Sequence, residues 1–419
     1  MKYTEIHLPY GIKNITARIP TGNLSCILST KELNGLENEK QAITGSLSSP
    51  IGCPALRECV KQGDQVVILV TDNTRACPDD RLLPPILDEL EEKVSRKDIT
   101  ILIALGTHAP MDEHALIHKL GKSILENYNV VNHDPSATVN IGVTSRGTPV
   151  EINRIVAEAD FRLSTGFIEP HFFAGFSGGR KSIAPGVSSA RSIKKNHCYE
   201  MISHQFARAG VLQGNPVHED MVEQARIANL DFIVNVLLNK RHEITHVVAG
   251  HFEKAHLYGC EIERDICQVT VDHKVDICIV SNSGAPLDLN FYQTCKGIDT
   301  ASAITRDGGI IIVASSCSSG IGSDAFENLH ASCKAPSEIL RKISISSNEA
   351  WWQNQILARA QLKQKILLFS DLDDSSVERM LVHPIHSLDE GINQALNELG
   401  SQAKIAVIPE GPLVLALIK

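Results

Sequence analysis

Short apolar, β-branched runs alternate with amphipathic stretches along this chain, and each run ends in polar residues. Gln65–Thr71 (QVVILVT) has the pattern of a fully buried strand and stops at Asp72-Asn73-Thr74-Arg75, which is loop chemistry. Leu82–Val94 follows with Leu and Ile on one helical face and Glu and Lys on the other. A second buried strand, Ile99–Leu105 (ITILIAL), ends in Gly106-Thr107-His108. Pro110, Asp112 and Glu113 then open another helix, as a helix N-terminus prefers. Strand, polar loop and helix repeated in this order predict a parallel α/β sheet. Ligands of such sheets sit at the carboxyl ends of the strands, where Arg75 and His108 both fall.

Further along, Ile233–Leu238 and Thr245–Ala249, joined by NKRHEI, predict a hairpin, and Glu263–Lys274 is read as a connection to a second domain. Val275–Val280, Gly309–Ala314, Lys365–Phe369 and Ile405–Ile408 predict its strands, the first ending in the polar loop Ser281–Leu289. The fold class expected is α/β: two α/β domains with mostly parallel sheets, residues 1–268 and 269–419, and an active-site cleft between them. No internal repeat and no low-complexity linker interrupts the pattern.

Composition narrows the function. At 43% hydrophobic and 21% charged residues the chain is ordinary for a globular protein. A net charge of −9 without a basic block argues against nucleic-acid binding. The segment MKYTEIHLPYG lacks the apolar core of a signal peptide, and no apolar run reaches the ~18 residues of a membrane span, so a cytoplasmic protein is expected. The 11 cysteines form no CxxC pair, which speaks against a disulfide framework or a cysteine-rich metal site; most are expected to be buried.

Candidate chemistry concentrates in Phe167–His197 (FIEPHFFAGFSGGRKSIAPGVSSARSIKKNH). It sets His171, a Gly-rich turn from Gly175 to Gly179, Lys181, Gly186 and His197 within one stretch. Such a turn can hold an anion on backbone N–H groups and aim a lysine at it. It is not a P-loop, because Arg180 stands where the glycine before the lysine belongs. Arg75 is read either as a surface ion-pair partner or as a guanidinium fork for a carboxylate or phosphate. His108, in a GTH turn at a strand end, is read as facing a cleft. His171 and His197 are read either as acid/base or metal-binding groups, or as a buried histidine and a helix-end cation. His114 and His118 lie four apart on one helix without the HExxH order and are read as a solvated face, as are His242/His246 and His383/His386. Tyr292, Gln293 and Lys296 open a helix on which Tyr292 and Lys296 share a face.

Taken together, TDNTR (Thr71–Arg75), GTH (Gly106–His108), EPHFFAGFSGGRKSIAPG (Glu169–Gly186), Asn196-His197, YQTCK (Tyr292–Lys296) and WQNQILAR (Trp352–Arg359) resemble the nickel-dependent lactate racemase family and its relatives among 2-hydroxyacid racemases and epimerases. The resemblance implies nickel held in a pincer nucleotide, a pyridinium-3-thioamide-5-thiocarboxylic acid mononucleotide covalently linked to Lys181. On the same ground His197 is the nickel ligand. Asp72, Thr74, Phe176, Ser177 and Gly178 hold the ribose and phosphate, and Trp352 walls the cofactor. His108 and His171 are the paired acid/base residues. Arg75 and Lys296, beside Gln293 and Tyr292, bind the substrate carboxylate. Cofactor-biosynthesis proteins are implied partners, together with a small 2-hydroxy acid as substrate.

This inventory suits the chemistry. An α-C–H next to a carboxylate is a very weak acid, so a hydride route avoids the carbanion. One histidine takes the hydroxyl proton while hydride leaves, and the second works in the mirror sense as hydride returns to the other face. Two departures from the family pattern stand near the substrate. Thr71 replaces an acid, and Ala109 replaces an arginine after the GTH histidine. The smaller Ala109 gives room for a longer hydroxy acid, so an aldonate epimerase is the alternative, and a non-catalytic carrier of the nickel cofactor is the alternative of another class. A metal-independent nucleotide-binding enzyme is a third.

Overall fold

In the computed structural model, which describes residues 2–346 and 351–419, the chain divides into two compact units. One consists of Glu32–His197 and His204–Asp265. The other consists of the segment ending at Lys31, Cys198–Ser203 and Ile266–Lys419. Among the described residues each unit is built on a six-stranded sheet.

The sheet of the Glu32–Asp265 unit runs, edge to edge, Ile244–His251, Phe232–Leu238, Phe161–Phe167, Val66–Thr71, Ile99–Ala104 and Asn129–Asn132. All neighbours pair in parallel except Ile244–His251, which returns antiparallel along Phe232–Leu238 as the hairpin expected. Both faces are buried, which is why these strands are continuous apolar runs rather than alternating ones. Val66, Ile68 and Val70 pack on Leu82, Leu83, Ile86 and Leu90 of helix Asp79–Glu91. Val67 and Leu69 meet Val222 and Ala225 of helix Pro216–Ile227 on the opposite face. Each fully buried leucine or isoleucine of this kind contributes roughly 1.5–3 kcal/mol of transfer free energy.

From Val66–Thr71 the chain moves to Ile99–Ala104 on one side and later to Phe161–Phe167 on the other. The strand order therefore reverses beside Thr71, and the carboxyl ends of these three strands are where a ligand is expected in such a sheet.

In the other unit His383–Ile385, Lys365–Phe369, Thr305–Ala314, Val275–Ser281, Ile405–Ile408 and Leu24–Ile27 form a wholly parallel sheet. One face, with Cys278, Val280, Ile311 and Val313, is covered by Phe291, Cys295 and Ile298 of helix Phe291–Ile304. The other, with Ile277, Ile279, Ile310 and Ile312, is covered by helix Leu388–Leu399 and by an antiparallel hairpin, Tyr3–Tyr10 with Lys13–Pro20. Ile6, Leu8, Tyr10, Ala17 and Ile19 are the hairpin's inward residues.

This corrects the division at residues 268 and 269. The first 31 residues belong with the C-terminal unit, because a parallel sheet needs both faces covered and they supply part of one cover and an edge strand. The connection expected at Glu263–Lys274 does carry the division, at Asp265 and Ile266, but it is regular structure: the end of helix Phe252–Cys267 followed by strand Gln268–Val271, which pairs with Leu415–Ile418. Helix Asp79–Glu91 begins before the expected Leu82, with Asp79 and Asp80 in its first turn. Cys26, Cys53 and Cys59 are partly exposed, and the other described cysteines are buried, as expected. Among the described residues no helix is long and apolar enough to cross a membrane.

Candidate active site

The loop after Val66–Thr71 is built around Asp72, whose carboxylate is almost fully buried. Its Oδ1 accepts the backbone N–H of Thr74 at 2.8 Å, an Asx turn, and also the Thr74 hydroxyl. Its Oδ2 lies 2.7 Å from Nδ1 of His108. Burial alone would raise the pKa of Asp72, but His108, Thr74 and Arg75 hold the carboxyl down at about 2. Both oxygens are thus engaged within the protein, and Oδ2, with His108 as its one hydrogen-bond partner here, keeps a second lone pair.

The rest of this loop hangs on a buried ion pair. Lys119, from helix Glu113–Leu120, places Nζ 3.0 Å from Asp79 Oδ2 and donates to the carbonyls of Arg75, at 3.1 Å, and Cys77, at 2.7 Å. Asp79 also accepts from the hydroxyls of Thr71 and Thr165. The threonine at position 71 therefore has a bonding role of its own, anchoring the loop that carries Arg75.

His108 sits in the turn after Ile99–Ala104, its own N–H donating to Leu105 O at 3.0 Å. Gly106 (φ +59°) donates to Gly186 O at 2.8 Å and so ties this turn to the end of the central motif. At Gly186 a Cβ would lie 2.3 Å from Ser182 O, so the chain can pass this close only as glycine. The histidine side chain is 42% exposed, open to a ligand while anchored at Nδ1.

The central motif is a tight platform. Pro170–His171 pairs antiparallel with Gly175–Phe176, and Ala174 N–H donates to His171 Nδ1 at 3.3 Å. Ser177 closes the base of the loop, donating its hydroxyl to Phe167 O and accepting Glu169 N–H, both at 2.9 Å. Arg180, only 1% exposed, turns inward and donates to the carbonyls of Ala174, Ser177 and Gly178. Its pKa is lowered to about 10 by burial. Nη1 of Arg180 also lies 2.9 Å from Nε2 of His256.

This arrangement corrects the expected anion cradle. The N–H of Phe176 bonds Ala174 O, that of Ser177 bonds Glu169 O, and that of Gly179 bonds Asn235 Oδ1. Those groups are spent inside the loop rather than left for a ligand. Phe176 is fully buried, its ring under the guanidinium of Arg264, so neither its ring nor its amide faces a nucleotide. Ser177 and Gly178 remain partly exposed.

Lys181 lies in the single turn Gly179–Ser182, partly exposed, and its charge reaches His197. His197 caps the C-terminus of helix Ala190–Asn196, 9% exposed, its ring edge-on to Phe173 with centroids 5.0 Å apart. Phe173 in turn meets His171 edge-on at 4.6 Å, so one phenyl ring separates His171 from His197. Burial, and then the positive charge of Lys181, lower the His197 pKa to about 3. The imidazole is therefore neutral, the form that ligates metals.

The structure thus brings Asp72, Thr74, Arg75, His108, His171, Lys181 and His197 to one edge of one sheet. In the other unit Tyr292, Gln293 and Lys296 occupy the first turns of helix Phe291–Ile304, whose cap is Asn290. Trp352 Nε1 donates to the Tyr292 hydroxyl at 2.9 Å. In helix Trp352–Gln361, Gln355 donates to Tyr199 O at 3.1 Å and Arg359 to Ile202 O at 2.9 Å, so the WQNQILAR motif anchors the segment directly after His197. His114 and His118 are exposed, as are His242, His383 and His386, while His246 is half-buried. Lys119, Asp79, Asn235 and His256 were not singled out in the sequence, and Arg180 was read there as the residue that excludes a P-loop, not as the buried donor that holds the turn together.

An α/β enzyme with paired histidines and a lysine–histidine couple at a sheet's carboxyl edge is the class that fold and site define. Family models for the lactate racemase N-terminal domain, over residues 10–210, and C-terminal domain, over residues 270–416, match the chain. Lactate racemase of Thermoanaerobacterium thermosaccharolyticum is 38% identical over 98% of both chains, and that of Lactiplantibacillus plantarum 36% identical over 97% of this chain and 98% of its own. The structure of the T. thermosaccharolyticum lactate racemase apoprotein superposes with a TM-score of 0.94, covering 99% of this chain and 100% of that one. A Thermotoga maritima protein, 18% identical with a TM-score of 0.68 over 93% of this chain and 100% of its own, shares the fold alone. The chain belongs to the lactate racemase family, and it is an isomerase of the racemase type.

Proposed function

We propose that the protein racemises a small 2-hydroxy acid, lactate in the first place, with a covalently attached nickel-pincer nucleotide. The observation that carries this reading is the clustering of His108, His171, Lys181 and neutral His197 at one sheet edge, in a chain whose similar proteins are lactate racemases.

The residues fit such a group. Lys181 is partly exposed and has a primary amine to give to a thioamide bond. His197 offers a single neutral nitrogen donor. Among the described residues no group of three or more His, Cys, Asp or Glu could hold a metal, so the other donors would come from the group itself, as two sulfur arms provide. When bound, the group supplies a reversible acceptor for hydride. Ser177, Gly178 and Thr74 remain candidates to hold its ribose and phosphate.

The chain's own residues do the rest. Arg75, its backbone fixed by Lys119, presents a guanidinium suited to a carboxylate. His108 and His171 exchange the hydroxyl proton of the substrate. Lys296, Gln293, Tyr292 and Trp352 keep the roles the resemblance implies. Mass spectrometry of the intact protein expressed with cofactor-biosynthesis proteins should show an adduct that Lys181→Ala abolishes. A panel of D- and L-2-hydroxy acids should show interconversion of lactate. An adduct on Lys181→Ala, or turnover only of aldonates, overturns the corresponding half.

A further inference from the structure

The two histidines of the site receive opposite partners at the same ring atom. At His108, Nδ1 faces Asp72 Oδ2 at 2.7 Å. A carboxylate can only accept, so Nδ1 must carry the hydrogen, and the neutral ring keeps its lone pair on Nε2. At His171, Nδ1 faces the backbone N–H of Ala174 at 3.3 Å. A backbone amide can only donate, so there Nδ1 carries the lone pair and the neutral ring keeps its hydrogen on Nε2. Neither orientation is accidental. Asp72 is clamped by the Thr74 N–H and hydroxyl on its other oxygen, and Ala174 is clamped by Arg180 on its carbonyl and by the His171–Gly175 pairing.

The geometry points to a resting protein in which His108 and His171 are held in opposite tautomers, His108 poised to accept a proton at Nε2 and His171 poised to donate a hydrogen bond from Nε2, with Asp72 the positioning residue that sets the first. This deepens the racemase reading and rests on it for its catalytic consequence. When a substrate O–H breaks and its proton bonds to His108 Nε2, the imidazolium keeps its Nδ1 hydrogen on Asp72, so the new positive charge forms beside a fixed negative one. His171 instead takes the Ala174 N–H on its Nδ1 and packs against the rings of Phe172 and Phe173. Its Nε2–H is the group that can hold the substrate oxygen. To act as base through Nε2, His171 must first move its hydrogen to Nδ1 and break the Ala174 contact. The two directions of the reaction therefore start from unequal ground states. Since kcat/KM is bound by the equilibrium between enantiomers, the inequality falls on kcat and KM separately.

Asp72→Asn is the discriminating variant. The Thr74 N–H holds the oxygen of the new amide where Oδ1 stands, so its NH₂ faces His108 and donates to Nδ1. The ring must then shift its hydrogen to Nε2, the wrong tautomer for a base. Long-range ¹H–¹⁵N correlation of histidine-labelled protein without cofactor, assigned with His108→Gln and His171→Gln, should show His108 protonated at Nδ1 and His171 at Nε2. In Asp72→Asn, His108 should switch to Nε2 while His171 is unchanged. Loaded Asp72→Asn should lose about 10²–10⁴-fold in kcat, with adduct mass and nickel intact. Like tautomers in the parent protein overturn the inference, even if the variant does not fold. So does a folded Asp72→Asn whose His108 keeps Nδ1–H. Absence of adduct and of turnover in the parent protein would overturn the racemase reading instead and leave the tautomer result standing.

Discussion

Lys119 Nζ and Asp79 Oδ2 lie 3.0 Å apart with side chains 7% and 0% exposed, and this pair carries the loop that presents Arg75. Lys119→Met removes the cation, leaves the Asp79 carboxylate buried and frees the carbonyls of Arg75 and Cys77. A loss of about 3–5 kcal/mol is expected, since removing one partner strands the other charge. Adding Asp79→Leu should restore a good part of it. Urea unfolding of the single and double variants reads the effect, and additive losses would refute the coupling.

On the proposed reading, exchanging either His108 or His171 should stop both directions of turnover, because each cycle would use one ring as base and the other as acid. His108→Ala and His171→Ala, each loaded with cofactor, should fall by about 10²–10⁴-fold from D- and from L-lactate alike. Adduct mass should be unchanged. A variant that retains near-normal rates in both directions would exclude a two-histidine mechanism.

On the proposed reading, His197→Ala should lower nickel content while Lys181 keeps its adduct, because the metal would lose one protein donor and retain those of the cofactor. Metal analysis beside intact mass separates the two. Equal nickel in parent and variant would remove His197 from the coordination sphere.

Acid should unfold the protein through its buried neutral histidines. Burial, then the Arg180 charge, lower the His256 pKa from 6.5 to about 3; the same two causes, with His256 and Arg226, lower that of His218 from 6.5 to about 2. A ring whose folded pKa lies below its unfolded value costs nothing above pH 6.5 and takes up a proton on unfolding below it. Each therefore removes about 1.4 kcal/mol of stability per pH unit as pH falls from 6.5 towards its folded value. Asp72 adds its loss later, only as pH falls from 3.8 towards about 2. His256→Gln should reduce the steepness between pH 6 and pH 4 by about one proton in denaturation curves; an unchanged slope would contradict the assignment.

The strands were legible because burial on both faces writes itself as an unbroken β-branched run. Val66–Thr71, Ile99–Ala104 and Ile405–Ile408 have no other reading. The site histidines were legible as loop residues at strand ends and as motif members. Lys119 was not, because beside His118 on an amphipathic helix it reads as solvated, and its partner Asp79 is set by tertiary packing alone. The amide cradle was misread for a related reason. Glycines show that a backbone turns tightly, but not whether its N–H groups are spent within the turn. The hairpin Tyr3–Pro20 does alternate, with Ile6, Leu8 and Tyr10 inward, yet nothing local says which sheet it covers.

That hairpin and the strand after it have a consequence for how the chain is made. Asn23 bonds the carbonyl of Ala403, 380 residues later, and Leu24–Ile27 lies along Ile405–Ile408. During synthesis this segment emerges about 380 residues before its partners exist. Until then its apolar face is uncovered, a stretch that chaperones would shield and proteases would find. Ribosome-bound chains halted before residue 400 should be nicked near Tyr10–Lys31 while the sheet around Val66–Thr71 already resists.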